Sequence, residues 1–373
     1  MKRISILVLI LVLFSIPSYG KESIKIGLIV PLTGDVKTFG ESAKNGFLMA
    51  IEEYSKKGKY TIIPVIADDR NDPTEGANAA LKLITQDKVI AISGPLTSKV
   101  AIPVSDIANN HKVPMVTGTA TNPKVTVYEG KRKPYVFRAC FIDPFQGTVA
   151  ANFALKDIKA KTAAVLYDVG NDYSKGLAEY FKTTFTKANG SIVAYESYQK
   201  DDVDFSALIT KVQVKKPDVI YLPDYYNKVA LIARQIREKG MKSVLIGGDG
   251  WDSPELLKIA GSSIEGGYFT NHYSSDRKDP VSEAFIKLYR EKHRVIPDTF
   301  AALSYDATSM LLKAIDNSKT KKPEDIIRYL STLKNYNGIT GKITFDKNGD
   351  AVKSVVILKV DKNGARYMTT VNP

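Results

Sequence analysis

Short apolar runs alternate with amphipathic stretches along most of this chain. Residues 24–30 are largely apolar, as in a strand buried on both faces, and Ala43, Phe47 and Ile51 then recur at helical spacing. The same alternation predicts further strands, with helices between them, at 60–67, 89–92 and 113–116. Strands and helices that alternate in this way are typical of a parallel sheet covered by helices.

The alternation begins again after residue 138. A helix is predicted from Pro144, and further strands are predicted at 163–167, 192–195, 219–222 and 244–246. Two rounds of this pattern predict an α/β fold with two doubly wound parallel-sheet lobes in tandem.

The last third of the chain has a different pattern. It predicts three helices, at 281–293, 300–317 and 324–333, and two late strands, at 343–345 and 355–360. Helices without a sheet of their own must bury their apolar faces on an existing lobe. We therefore expect the chain to cross back near 271–278 and to return near 347–350. The expected lobes, joined by a hinge of three crossings, are 21–140 plus 275–345 and 141–274 plus 346–373.

The N-terminus has the pattern of a secretory signal peptide. Lys2 and Arg3 precede an apolar stretch at 4–16, and Ser18 and Gly20 put small residues before a cut after Gly20. The apolar stretch is shorter than the roughly 20 residues that a membrane span needs. Residues 1–20 are therefore predicted to be a cleaved signal peptide, and the mature protein to be periplasmic without a stable membrane anchor.

Composition narrows the possible functions. The single cysteine, Cys140, and the scattered histidines His111, His272 and His293 offer neither a disulfide framework nor a Cys/His metal site. We expect no metal and no cofactor, and we expect His111 and His272 to be surface or capping residues. The net charge of +13 comes from dispersed lysines and arginines, which favours a solvated surface over nucleic-acid binding.

Catalytic motifs are missing from the sequence. The chain contains no G-x-S-x-G elbow, no G-x-G-x-x-G fingerprint and no G-x-x-x-x-G-K-[ST] phosphate loop. No histidine is predicted at a strand end in register with a serine, so a serine hydrolase would have no base. We expect a protein that is not an enzyme.

The residues after the predicted strands are the candidates for ligand binding, because ligands of open α/β sheets bind beyond the carboxyl ends of the strands. In the first lobe these positions carry hydroxyls beside helix N-termini, at Ser98, Thr119 and Thr121. Such groups suit a carboxylate. In the second lobe they carry an acid and aromatic residues, which suit an ammonium group, at Asp249, Tyr173, Tyr225 and Trp251. The two sets would together bind a zwitterion, although each residue alone could be a helix cap or an ordinary half-buried aromatic.

Several segments resemble one known family in order and spacing. They are KIGLIVPLTGDVKTFG, ADDRNDP, GPLTSKVAIPVSDIA, TGTATNP, VFRACFIDPFQG, YDVGNDYSKGLA, DFSALITKV and GGDGW. This order resembles the periplasmic leucine/isoleucine/valine-binding proteins, the type I solute-binding proteins of ABC importers. The resemblance covers essentially the whole mature chain and implies the type I periplasmic binding protein fold.

The resemblance also implies roles for single residues. Ser98 and Thr121, with backbone groups at Leu96 and Thr119, would hold the α-carboxylate of the ligand. Tyr173 and Asp249 would hold its α-ammonium. The side-chain pocket would be walled by Leu96, Phe39, Tyr225 and Phe300, to which we add Trp251 from its place beside Asp249.

The chain departs from the family pattern at two of these positions. The family commonly has glutamate where this chain has Asp249, and a tyrosine typical of the branched-chain binders is Phe39 here. We expect capture of an L-amino acid with a branched-chain, other apolar or aromatic side chain, by a monomer that delivers it to an inner-membrane ABC permease. The alternatives are a ligand that is not an amino acid, such as an amide, urea or an aromatic acid, and a ligand-sensing protein.

Overall fold

The computed structural model describes residues 21–373, and its strands form two large sheets together with two small sheets of three and two strands. The predicted signal peptide, residues 1–20, lies outside the described residues. The strands are β1 Ser23–Val30, β2 Thr61–Asp68, β3 Ala91–Ser93, β4 Met115–Thr117, β5 Val127–Tyr128, β6 Lys131–Arg132, β7 Val136–Arg138, β8 Thr162–Asp168, β9 Ser191–Tyr198, β10 Val219–Leu222, β11 Val244–Gly247, β12 Tyr268–Asn271, β13 Tyr336–Gly338, β14 Gly341–Phe345, β15 Ala351–Val352, β16 Val355–Asp361 and β17 Gly364–Val371. The helices are α1 Lys37–Ser55, α2 Pro73–Thr85, α3 Ser98–Asn110, α4 Asp143–Lys156, α5 Asp172–Lys187, α6 Ser206–Gln213, α7 Tyr226–Glu238, α8 Pro254–Ala260, α9 Pro280–His293, α10 Thr299–Asn317 and α11 Pro323–Ser331.

The first lobe is built on a five-stranded sheet in the order β2-β1-β3-β4-β7, in which all neighbours are parallel. Its central strands are buried on both faces, as their apolar sequences predict. The three-residue strand β7 was not predicted. It extends the sheet beyond β4.

The second lobe is built on a seven-stranded sheet in the order β17-β16-β12-β11-β10-β8-β9. The five strands from β9 to β12 run parallel, which confirms the predicted doubly wound sheet. β16 and β17 add an antiparallel edge. The sequence did not predict β17, because most of its residues are exposed or half-buried and leave no apolar run.

The late helices pack on the first lobe. α10 lies along α1, and α9 packs against both through Met49, Phe285 and Ala302. α1 and α10 come close together at Gly46, where a Cβ atom would lie 2.1 Å from the carbonyl oxygen of Ala301. Only glycine permits this approach, which holds the start of α10 close to the first sheet.

The chain passes between the lobes three times: from β7 to α4, from β12 to α9, and from β15 to β16. The buried Arg138 at the end of β7 joins the first and third of these crossings. Its Nε lies 2.6 Å from Asp350 Oδ1, and its backbone N–H donates to the carbonyl of Gly349. The predicted three-crossing α/β architecture is confirmed.

Local sequence explains where several helices begin. Asp72, Asp279 and Asp298 are N-cap residues whose carboxylates accept hydrogen bonds from the first-turn backbone N–H groups. Proline occupies the first helical position after Asp72 and Asp279, where its missing N–H costs nothing. Among residues 21–373, no helix has the length and apolar character needed to cross a bilayer.

Candidate ligand-binding site

The carboxyl ends of strands from both sheets meet around a small cavity, whose empty space including its opening to solvent is about 230 Å³. One side of it comes from the first lobe and carries hydroxyls and apolar side chains. The other side comes from the second lobe and carries a carboxylate and two phenol rings. The lining residues are Leu96, Thr97, Ser98, Thr119, Tyr173, Tyr225, Asp249, Gly250 and Phe300.

Asp249 is the only carboxylate among the residues that line this cavity, and neutral side chains hold it in place. Its Oδ1 accepts hydrogen bonds from Gln146 Nε2 at 2.7 Å and from the Tyr173 hydroxyl at 2.8 Å. Gln146 also donates to the hydroxyl of Thr270 on β12, so the carboxylate is tied to the sheet edge. Burial raises the pKa of Tyr173 well above its usual value, and the phenol therefore remains a proton donor.

Tyr173 reaches Asp249 because the chain opposite it carries glycine. A Cβ at Gly248 would lie 2.6 Å from the Tyr173 hydroxyl. The Gly250 backbone N–H donates to the same hydroxyl at 2.9 Å. The ring of Tyr173 stacks on that of Tyr225, with centroids 5.2 Å apart. These contacts fix one phenol beside the carboxylate and a second as a flat wall.

His272 also contacts Asp249, which corrects the expectation of a surface or capping histidine. The ring is fully buried, and its Nε2 lies 3.2 Å from Asp249 Oδ2. Burial lowers the pKa of His272 to about 4, so the ring is neutral near pH 7. His272 was not predicted at the site because its strand β12, which has four residues, was not predicted. The pair Tyr268–Phe269 was the one weak signal of this strand, and it is too short to indicate a buried strand.

The first lobe presents hydroxyls and a helix N-terminus to the cavity. α3 begins at Ser98, so its first backbone N–H groups and its partial positive charge point toward the cavity. The Ser98 hydroxyl accepts from the Asn122 backbone N–H at 3.2 Å, and it therefore keeps its own proton for another acceptor. The Thr119 hydroxyl donates to the carbonyl of Leu96 at 2.7 Å, which fixes both residues at the cavity wall.

Aromatic rings make the apolar wall. Phe300, at the start of α10, lines the cavity together with Leu96 and Tyr225. Phe39 does not line the cavity but lies behind this wall. It stacks on Phe300 with centroids 3.7 Å apart and meets Tyr225 edge-on at 5.7 Å. Phe39 thus supports two wall residues from opposite lobes.

Besides Phe39, two other expected site residues lie outside the cavity lining. The Trp251 side chain is buried in the second lobe, where its Nε1 donates to the Leu222 carbonyl at 2.9 Å and its ring packs near Phe269. The expected pocket role of Trp251 is therefore corrected to a core role. Thr121 is also fully buried, and its hydroxyl lies beside the Asp143 carboxyl.

The cleft is closed in this structure, since several hydrogen bonds join the lobes around the cavity. The backbone N–H of Thr299 donates to Asp252 Oδ2 at 2.8 Å. Asn122 Nδ2 donates to the carbonyl of Asp172 at 3.0 Å, on another side of the cavity. The Tyr226 hydroxyl donates to the Asp35 carbonyl at 3.2 Å.

Comparison with known proteins agrees with this architecture. Residues 23–365 match the periplasmic binding protein family. The chain belongs to this family. It is 36% identical to the Leu/Ile/Val-binding protein BraC3 of Rhizobium johnstonii over 88% of both chains. The predicted resemblance to the leucine/isoleucine/valine-binding proteins is therefore confirmed.

Solved structures of similar periplasmic binding proteins share the whole fold. The leucine binding protein LivK of Thermotoga maritima is 39% identical, with a TM-score of 0.89 over 94% of this chain and 99% of its own. The branched-chain amino acid transporter substrate binding protein LivJ of Streptococcus pneumoniae, solved with isoleucine, is 30% identical, with a TM-score of 0.88 over 94% of this chain and all of its own.

Several other cavities of this periplasmic binding protein are larger. Two of them, with empty space of about 910 and 1170 Å³ including their openings to solvent, lie between α1, α9 and α10, and both are bordered by Val281, Tyr305 and Ile339. Neither is lined by residues of the second lobe's parallel strands. The small cavity between the lobes is the better candidate site, because polar groups of opposite character converge there.

Proposed function

We propose that this protein captures an L-amino acid with an apolar side chain between its lobes and delivers it to an inner-membrane ABC permease. The observation that carries the proposal is the pair of opposed walls. Asp249 and Tyr173 face the hydroxyls and helix N-terminus of the first lobe across one small cavity. An α-amino acid carries the two opposite charges that these walls suit.

Each wall has a distinct role in this proposal. The Ser98 hydroxyl and the backbone N–H groups at the start of α3 bind the α-carboxylate, helped by the positive end of the helix dipole. Asp249 and the Tyr173 oxygen accept hydrogen bonds from the α-ammonium. Leu96, Phe300 and Tyr225 surround the side chain. The names of the relatives that bind leucine, isoleucine and valine support an apolar side chain of that size.

The buried Thr121 hydroxyl also belongs to the carboxylate wall in this proposal. Its hydroxyl is fully buried and lies beside the Asp143 carboxyl, which it can contact by a hydrogen bond. Thr121 therefore takes part in the carboxylate wall from behind the lining residues.

Capture proceeds by closure of the cleft. Ligand contacts from both lobes exist together only in the closed arrangement, so binding shifts the population toward it. The moving bodies are the lobes 21–140 plus 275–345 and 141–274 plus 346–373. The three crossings act as the hinge. The closed form is the one that docks on the permease.

A non-catalytic carrier is the reading that the site favours. The groups at the cavity can bind and orient a ligand. Asp249 is hydrogen-bonded to Gln146 and Tyr173, and neither of these is an activated nucleophile. An amide, urea or an aromatic acid would leave the Asp249 carboxylate without a cation. Breaking such a buried pair costs roughly 3 to 5 kcal/mol, which disfavours these ligands and a sensor for them.

The proposed site of action is the periplasm. Residues 1–20 would direct export and then be removed, and the mature chain would act as a monomer without a membrane anchor or cofactor. A monomer suits the role, because both lobes must be free to move and to present themselves to the permease.

Thermal melting of the mature protein tests the proposal. The protein is first unfolded and refolded to remove any bound ligand, and it is then melted with leucine, isoleucine, valine, acetamide, urea or benzoate. A ligand at 100 times its Kd stabilises by about 2.7 kcal/mol, which raises the melting temperature by several degrees. We expect this rise with apolar L-amino acids. A rise with benzoate or an amide and with no amino acid would overturn the assignment.

A further inference from the structure

His272 occupies a position that the ligand-binding assignment leaves unexplained. It follows the last residue of β12 and is fully buried against the side of Asp249 that Gln146 and Tyr173 do not contact. Its ring stacks on Phe141 with centroids 3.5 Å apart and an interplanar angle of 25°. Its backbone N–H donates to the side chain of Asn271. The stacking on Phe141 and the contact with Asp249 hold the ring in one orientation.

The hydrogen bonds around the ring assign its tautomer. Nε2 faces Asp249 Oδ2 at 3.2 Å, and a carboxylate oxygen can only accept, so Nε2 carries the proton. Nδ1 is buried and has no hydrogen-bond partner among residues 21–373. A second proton on Nδ1 would therefore be a buried donor without an acceptor, in addition to a buried charge.

The charged groups near the ring are Asp249 and the buried Lys353. Asp249 favours the imidazolium, and Lys353 opposes it. Burial outweighs both and lowers the pKa of His272 to about 4. At neutral pH the three side chains that donate to Asp249, from Gln146, Tyr173 and His272, are all uncharged donors. They orient the carboxylate without cancelling its charge.

We propose that His272 is a positioning residue that, as the neutral Nε2–H tautomer, holds Asp249 Oδ2 and leaves the carboxylate charge to the ligand's ammonium. This inference rests on the proposed amino-acid function. Asp249 is a short acid, and its carboxylate needs a fixed rotation to reach the ligand. A donor on each oxygen fixes that rotation, and a neutral donor preserves the net negative charge that attracts a cation.

Nitrogen NMR of the histidine rings tests the tautomer directly and needs no ligand. The chain has three histidines, so the spectrum is small, and the His272 signals are those lost in His272→Gln. We expect His272 to show the neutral Nε2–H pattern from about pH 8 down to about pH 5. A protonated ring at neutral pH, or an Nδ1–H tautomer, would overturn the proposal.

Two substitutions test the positioning role. His272→Phe keeps a ring that can stack on Phe141 but removes the donor, whereas His272→Gln retains an N–H donor. Loss of a hydrogen bond to a charged group changes an affinity by about tenfold or more, so we expect His272→Phe to raise the Kd for leucine by at least that factor. The Kd of His272→Gln should remain within about threefold of the wild-type value. The exposed His111→Gln is the matched control.

The outcomes separate this inference from the proposed function. Equal weakening by Phe and Gln would refute the role of the donor, and unchanged affinity in His272→Phe would refute positioning altogether. If His272→Phe does not fold, the ring tautomer of the wild type and the affinity of His272→Gln decide the question. If the wild type binds no amino acid, the proposed function fails, while the NMR result still tests the neutral His272–Asp249 contact.

Discussion

Replacing Asp249 by asparagine is the sharpest test of the ammonium site. Asparagine has nearly the same shape, and its oxygen can still accept from Gln146 and Tyr173. The change therefore removes the negative charge while the surrounding contacts largely remain. Its amide nitrogen would face the Nε2–H of His272, so a donor would replace the acceptor on that side.

The expected loss follows from the burial of Asp249, which is 3% exposed. Removing one partner of a buried, hydrogen-bonded charge pair costs about 2 to 5 kcal/mol. Since every ~1.4 kcal/mol is tenfold, the Kd for leucine should rise by about 30-fold to several thousand-fold. Isothermal titration of refolded, ligand-free protein measures this change.

Two controls make the result interpretable. Asp204→Asn removes a carboxylate from an exposed loop and should leave the Kd unchanged. The melting temperature of ligand-free Asp249→Asn reports whether the lobe still folds. A folded Asp249→Asn variant with a Kd within about threefold of the wild type would refute the ammonium assignment.

Three further predictions concern closure, pH and the core. Lys99 shares a cavity of about 300 Å³ with Asp168 and Asp224 of the opposite lobe. Lys99→Met should therefore raise the Kd for leucine about two- to fivefold and make that Kd less dependent on salt between about 0.02 and 0.5 M. An unchanged salt dependence of the Kd would contradict a role of Lys99 in closure. Burial raises the pKa of Asp143 from 3.8 to about 8, so folding favours its protonated form and the stability this provides is lost as pH rises through that interval. Asp143→Asn should therefore melt increasingly above the wild type from about pH 4 to about pH 8, and a constant difference would argue against this. Trp251→Phe should lower the free energy of unfolding by about 1 to 3 kcal/mol in denaturant titration and leave the Kd for leucine unchanged, whereas a tenfold weaker Kd would return Trp251 to the site.

The parts of the site that could be predicted are those governed by the sheet. A buried parallel strand is a visible apolar run, and the residue after it lies at the carboxyl edge. This reasoning brought Ser98, Tyr173 and Asp249 to one cleft without any contact being known. It works because strand ends are fixed by backbone hydrogen bonding and not by side-chain packing.

Trp251 was wrongly predicted because the direction of its side chain, and not its place in the sequence, determines what it contacts. Asp249 and Trp251 belong to one short helical turn at Asp249–Trp251, so residues two apart point in different directions. The carboxylate points to the cavity and the indole points back to Leu222. Proximity in sequence to Asp249 was therefore no guide to the place of Trp251.

His272 was misplaced for a different reason. Its strand β12 has four residues and lies between an irregular segment and a long crossing, so neither an alternation nor a long apolar run indicates this strand in the sequence. Residue type also does not distinguish a buried histidine from an exposed one, because histidine occurs in both environments. Only the packing of β12 against β11 brings its ring to Asp249.

The two walls contribute unequally to the choice of ligand. Hydroxyls and a helix N-terminus accept any small carboxylate, so the first lobe alone treats leucine and the corresponding acid without an amino group alike. In the proposed site the second lobe discriminates, because the buried Asp249 carboxylate accepts hydrogen bonds from three uncharged donors that leave it to pair with a cation. An acid without an ammonium would leave the Asp249 carboxylate buried and unpaired, which would destabilise the closed state. In the proposed mechanism discrimination takes place on closure, since an open cleft that holds its ligand by the first lobe would not yet have brought Asp249 to it.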